Sequence, residues 1–207
     1  MVAEARLARP LGWPIAIGGG TGCGARSAAE RLVSGGVSAL ISFGLAGGLD
    51  PTLRPGTILI PTGVMVDGHH FSTDPALRAR LGDAATNLLS ATSSIVASAA
   101  AKAALFASSG AVAVDLESGA VARVAAEHGL PFAVLRAICD PAERDLPPAA
   151  LIALDRRGAI GLMRVIGSVL EHPTQVPALL ALAADAAAAR RALRAAVARI
   201  GTHANLA

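Results

Sequence analysis

Two acids carry the chemistry that can be read in this chain. Glu117 stands at the end of the run AVAVDLES, residues 111–118, and Asp140 at the end of FAVLRAICD, residues 132–140. Each follows an apolar, β-rich stretch. A carboxyl whose pKa is raised by burial can hold a proton near neutral pH and deliver it to a leaving group. Between the two acids, Ala120, Val121, Val124 and Ala125 recur at helical spacing, Gly129 stops the helix and Pro131 opens the next segment. The pattern predicts a strand–helix–strand unit of the length a parallel crossover needs. Ligands of open parallel sheets lie outside the carboxyl ends of the strands, so both acids are expected to face one crevice. Plainer roles stay open at this point. Asp140 before Pro141 suits a turn, Glu117 suits the first turn of a helix, Arg136 suits a buried acid as partner, and Cys139 suits a small buried side chain.

Two glycine clusters stand upstream. Gly18 to Gly24 includes Gly20, Gly22 and Ala25 at a relaxed dinucleotide-binding spacing, but the next strand, Val37 to Phe43, ends in Gly44 and Leu45 without the acid a ribose would need. Residues 42–51, SFGLAGGLDP, follow a buried strand with no obvious helix after them. Small residues in succession let backbone N–H groups converge on an anion, or simply form a tight turn.

The elements that must position these residues are predicted in order. Residues 1–12 read as helical and Trp13 to Ile17 as a short strand. A helix covers Ala25 to Val33. Strands cover Thr57 to Ile60 and Gly63 to Val66, as two pieces or one bent strand. Residues 67–75 form a solvated loop, in which the neighbouring His69 and His70 point apart and make a poor metal site. Helices are expected over Pro75 to Leu81, near Asp83 to Leu89 and over Ala99 to Phe106, with a short strand at Ser94 to Ala97. From about Ala149 the chain is helical, broken near Gly158 to Gly161 and at His172-Pro173, and it closes with an Ala-rich helix, Val176 to Ile200. No repeat or linker divides it. A single domain over 1–207 is expected, with 173–207 as a helical tail packed on it.

Composition narrows the classes. Among 207 residues there are one Trp, four Phe and no Tyr, which leaves few stacking platforms for single-stranded nucleic acid. The net charge of +3 comes from scattered arginines; Arg190, Arg191, Arg194 and Arg199 fall on an Ala/Leu helix and read as a solvated face. Two cysteines make no disulfide framework. No signal-type segment and no apolar run of spanning length is present. The expectation is a cytoplasmic protein, with contact at a membrane surface left open.

Four blocks in order resemble a known family. Phe43 to Leu49 followed by Arg54-Pro55-Gly56, then Val114 to Ser118, then Arg136 to Asp140, together with Thr21-Gly22-Cys23-Gly24, are similar to motifs of the purine nucleoside phosphorylase and methylthioadenosine/adenosylhomocysteine nucleosidase superfamily. Within it, the Glu-Ala-Arg start, FGLAGGLDP and the Ala/Leu/Arg tail most resemble the hopanoid-associated phosphorylases. The resemblance implies an α/β fold, a three-layer α/β/α sandwich with a twisted mixed sheet, in a homo-oligomer such as a dimer. It implies an enzyme that breaks the N-glycosidic bond of an adenosine-type nucleoside with an apolar 5′ substituent, adenosylhopane first, with methylthioadenosine/adenosylhomocysteine nucleosidase activity or non-catalytic nucleoside binding as alternatives.

The same resemblance assigns roles. Asp140 protonates the purine and Glu117 holds the ribose hydroxyls. Leu116, Ser118 and Glu4 bind substrate, and Gly22, Gly44, Leu45, Ala46, Gly47 and Gly48 line the phosphate or water site. No metal or cofactor is implied, and inorganic phosphate or water is the co-substrate. The partner is a small nucleoside, lipid-linked in the hopanoid case, and not nucleic acid. Leu45 replaces the usual Ser or Thr, so phosphorolysis and hydrolysis both stay open. Thr57 replaces the usual Asp, and Ala99 to Lys102 lacks the aromatic that commonly stacks on the purine. The family's first strand should precede the Glu-Ala-Arg element, so either the start is shortened or another segment covers that sheet position.

Overall fold

The computed structural model describes residues 2–82, 85–148, 150 and 173–204. Helix α1 (Val2–Ala8) and a 3-10 turn (Arg9–Leu11) lead to α2 (Gly22–Ser34). Strands β1 (Leu40–Gly48), β2 (Ile58–Val66) and β3 (His69–Ser72) precede α3 (Pro75–Leu81) and β4 (Ala85–Ala91). Then come α4 (Ala99–Ser109), β5 (Ala113–Asp115), α5 (Ser118–Glu127) and β6 (Phe132–Asp140). A second 3-10 turn (Pro173–Gln175) opens α6 (Val176–Ala204). The helical stretch expected from Ala149 to His172 lies outside the described residues, Ala150 excepted.

The sheet is mixed, in the order β3-β2-β4-β5-β1-β6, and a further antiparallel pairing of β2 with β6 closes it on itself. Strand β6 is the hub. It runs parallel to β1 along its whole length and is buried almost throughout, as a strand covered on both faces must be. On one side of the sheet α2 and α5 bury Ala29, Ala122, Val124 and Ala125 against Leu40, Val134 and Ile138. On the other side α6 buries Ala189, Leu193 and Ile200 against Ala133, Leu135 and Ala137, joined by Leu7 of α1 and Leu77 and Leu81 of α3. Helices on both sides of a twisted mixed sheet bear out the expected α/β class.

Local chemistry accounts for most element ends. Thr21 caps α2, accepting from the Gly24 N–H at 3.2 Å, so this helix starts three residues before the expected Ala25. Asp74 caps α3 ahead of Pro75, and Ser98 caps α4. Asp67 (φ 48°) and Gly68 (φ 76°) make the two-residue turn of a β2–β3 hairpin. The expected solvated loop at 67–75 therefore carries an edge strand.

Several other expectations are corrected. Trp13 to Ile17 forms no strand: Pro14 has no N–H to give a ladder. Of the helix expected near Asp83 to Leu89, the described part from Ala85 belongs to strand β4, because pairing with both β2 and β5 overrides an Ala/Leu composition. Ser94 to Ala97 is irregular. The glycine segment Gly44 to Gly48 is not a turn but the second half of strand β1. Strands β5 and β6 are not a parallel crossover pair either. Strand β1 lies between them, antiparallel to β5 and parallel to β6.

Candidate active site

The register along β1 sets the positions of the two acids. Asp140 is level with Gly47 and Arg136 with Gly44. At ~3.3 Å per residue those levels are about 10 Å apart along the strand. A bulge in β6 at Cys139, between the pairs Ala46–Ile138 and Gly47–Asp140, turns Asp140 relative to the residues before it.

At the Gly44 level lies a buried polar network. The Arg136 guanidinium, 3 % exposed, reaches Asp115 at 2.7 Å and approaches Glu117 at 3.6 Å. It also donates to the Ser42 hydroxyl at 2.7 Å and to the Leu45 carbonyl at 3.3 Å. The Ser118 hydroxyl donates to Asp115 at 2.5 Å. Glu117 is anchored at its other oxygen by the Gly20 N–H, 2.5 Å away, so the first glycine cluster serves to hold a carboxylate. Glu4 is buried, and its carboxyl carbon and the Arg136 guanidinium both lie close to where a Gly44 Cβ would be. The plainer reading of Arg136, partner to a buried acid, is borne out.

At the Gly47 level Asp140 stands apart from this network. Its Oδ2 accepts from Lys102 Nζ at 2.6 Å and lies 3.7 Å from where a Gly47 Cβ would be. Its Oδ1 is buried without a hydrogen-bond partner among the described residues. Burial pushes the Asp140 carboxyl above its usual range, against the pull of Lys102 and of Arg144. The neighbouring Cys139 thiol is pushed up to about 12, first by burial and then by the Asp140 and Glu4 carboxylates. It is no nucleophile.

Beyond the Gly44 level, along Leu40 to Phe43, a cavity of about 470 Å³ opens beside β1. Its lining is mostly apolar, with Trp13, Ile15, Ile17, Phe43 and Leu135, and its charged members are Glu4, Arg80 and Glu117. Ile15 and Ile17 keep 39 % and 44 % of their surface exposed. Asp140 does not line this cavity. The single crevice expected for both acids is corrected to two stations along one strand, because β5 and β6 run in opposite directions.

The remaining sequence candidates fall as follows. Gly22 opens α2 close to the Leu116 carbonyl. Ser118 is fully buried and its hydroxyl is engaged inside the Arg136 network. Leu45, Ala46, Gly47 and Gly48 continue β1 from the Gly44 level to one residue past the level of Asp140. Lys102 escaped the sequence reading. Its signal was a lone charge within the Ala-rich stretch AAAKAAL, and it is fully buried. Among the described residues no group of three or more His, Cys, Asp or Glu could hold a metal ion, and no helix is long and apolar enough to cross a membrane.

The sequence profile of the Phosphorylase superfamily matches residues 12–166. No curated protein matches the chain. Among solved structures it is similar to the 5′-methylthioadenosine/S-adenosylhomocysteine nucleosidase of Neisseria meningitidis in complex with methylthio-immucillin-A. The identity is 20%, over 86% of this chain and 76% of that one, with a TM-score of 0.58. The futalosine hydrolase of Helicobacter pylori is 19% identical over 72% and 74% of the two chains, TM-score 0.55. A putative methylthioadenosine nucleosidase of Weissella paramesenteroides is 25% identical over 69% and 74%, TM-score 0.53.

Proposed function

Because the chain belongs to the Phosphorylase superfamily, we propose that it breaks the N-glycosidic bond of an adenosine-type nucleoside carrying an apolar 5′ substituent. One observation carries the reading: three chemically different stations follow one another along β1. A raised-pKa acid stands at Gly47, a carboxylate held by Arg136 and Gly20 stands near Gly44, and an apolar cavity flanks Leu40 to Phe43. Base, sugar and 5′ substituent follow one another in the same order in such a nucleoside.

Adenine leaves poorly as an anion. Asp140 gives its proton to the purine ring as the bond from C1′ breaks and its electron pair moves to the base, a contribution of roughly 10²–10⁴-fold. The ribosyl centre becomes oxocarbenium-like. Glu117 accepts hydrogen bonds from the ribose hydroxyls, fixes the ring and supports its positive charge. Phosphate then bonds to C1′, or water does so and releases its second proton to solvent. Leu45 offers no hydroxyl to orient it, so the identity of the nucleophile is decided by experiment.

The cavity lies within the volume range of small-molecule sites. Its apolar wall supports a bulky hydrocarbon substituent, as the resemblance to hopanoid-associated phosphorylases implies for adenosylhopane. A lipid-linked substrate entails work at a membrane surface, with Ile15 and Ile17 exposed at the cavity wall. Assembly as a homo-oligomer belongs to the same proposal.

The test is adenine release from adenosylhopane, methylthioadenosine and adenosine, each with and without phosphate. The expected order of kcat/KM falls from the largest apolar substituent to the 5′-hydroxyl. Preference for methylthioadenosine would favour the nucleosidase alternative. Tight binding without adenine from any substrate would leave a nucleoside-binding protein and overturn the enzymatic reading.

A further inference from the structure

Lys102 is the one fully buried lysine among the described residues, and the scheme above leaves it without a task. It projects from α4, with Nζ 2.6 Å from Asp140 Oδ2, 2.9 Å from the Pro141 carbonyl and 2.8 Å from the Arg144 carbonyl. Three acceptors surround a group with three donors, so the ammonium is fully satisfied. The same loop is tied to the start of α4 from outside: the Asp145 carboxylate accepts from the Ala99 N–H at 2.7 Å, and the Leu146 N–H donates to the Ala97 carbonyl at 2.8 Å. Asp140 is thereby held at one oxygen only. Its Oδ1 is buried and has no hydrogen-bond partner among the described residues.

We propose that Lys102 is a positioning residue for the proton donor: it fixes Asp140 through Oδ2, reserves Oδ1 as the proton-bearing oxygen, and stabilises the carboxylate left when that proton departs. The inference rests on the function proposed above. In the protonated acid, Oδ2 accepts from the ammonium while Oδ1–H donates to the base. As the Oδ1–H bond breaks, a bond from hydrogen to the purine nitrogen forms, and the pair from the C1′–N bond enters the base. The new carboxylate is then paired with a cation already in place. Burial raises the Asp140 carboxyl and Lys102 pulls it back, so the cation makes the proton easier to give up. Three other charged or titratable groups bear on Asp140: Arg144 on its own loop, Asp185 on α6, which pairs with Arg144, and Cys139 next in sequence. None of these places a cation in contact with the carboxylate.

The experiment compares wild type with Lys102→Met and Lys102→Gln by two readouts. One is the titration of Asp140, followed by carboxyl ¹³C NMR on the substrate-free protein with Asp140→Asn for assignment. The other is the pH profile of kcat for adenine release. Loss of the cation is expected to raise the Asp140 pKa by about one to three pH units, to move the alkaline limb of kcat upward by the same amount, and to lower the plateau at least tenfold with KM nearly unchanged. Lys102→Gln keeps a donor without the charge and should show the same titration shift, which also covers a Lys102→Met chain that fails to fold. A folded variant with wild-type titration, or one that loses only thermal stability, overturns the proposal. If wild type releases no adenine while the titration still moves, the proposed function fails and the Lys102–Asp140 relationship stands.

Discussion

Gly24 and Gly18 are in backbone contact. A Cβ on Gly24 would run into the Gly18 carbonyl oxygen, and one on Gly18 would lie 2.8 Å from the Ala25 Cα. The start of α2 is thus pressed against the loop whose Gly20 N–H holds Glu117. Gly18 and Gly24, the two ends of the first glycine cluster, let a helix and a loop touch. Gly24→Ala must push the loop aside. The expected result is a loss of about 1–3 kcal/mol of stability by overpacking, with a rise in KM larger than the fall in kcat. Denaturant melts and steady-state kinetics on the same sample check both.

Asp140→Asn removes the proton donor and keeps the shape. Turnover should fall by roughly 10²–10⁴-fold, with nucleoside binding within a few-fold of wild type by calorimetry. In wild type the acid works protonated, and burial holds its pKa above the ordinary 3.8. Turnover should be flat on the acidic side and decline as pH rises through that raised value. The asparagine variant should lose this limb, and its persistence would assign it to another group.

Arg136→Met strands the buried Asp115 carboxylate and leaves Glu117 with one anchor. Breaking a buried pair from one side costs about 3–5 kcal/mol. Urea denaturation should register that loss, and replacing Asp115 as well, in Arg136→Met/Asp115→Asn, should recover part of it. Additive single and double losses would mean that the two residues are not coupled.

The thiols should behave differently. Cys23 is exposed, whereas the Cys139 thiol is held at about 12. Iodoacetamide at pH 8, read by peptide mass mapping, should label Cys23 and leave Cys139 unmodified until the protein is denatured.

Much of this was legible in the chain because it depended on local chemistry. The starts of α3 at Pro75 and α4 at Ala99, the continuous apolar run of β6 and the strand-end position of Asp140 all follow from residues close in sequence. What depended on distant partners was not. The stretch near Asp83 to Leu89 reads as helix until β2 and β5 flank its described part. Gly44 to Gly48 reads as a turn because small residues suit one, yet here they let Arg136 and Asp140 crowd the strand from either end. The strand-end places of Glu117 and Asp140 were legible, but their separation along β1 was not, since strand direction belongs to the whole sheet. Lys102 stayed hidden for the opposite reason to the glycines: a single charge on an alanine helix reads as the wet side, and only the fold turns it inward.

The cavity wall holds the one tryptophan of a chain without tyrosine. Near-ultraviolet emission therefore reports from a single indole, beside the space assigned to the hydrocarbon part of the ligand. An apolar guest that replaces water there should shift the emission to the blue and raise its intensity. The protein carries its own label-free optical gauge of occupancy, readable by titration before any product is formed.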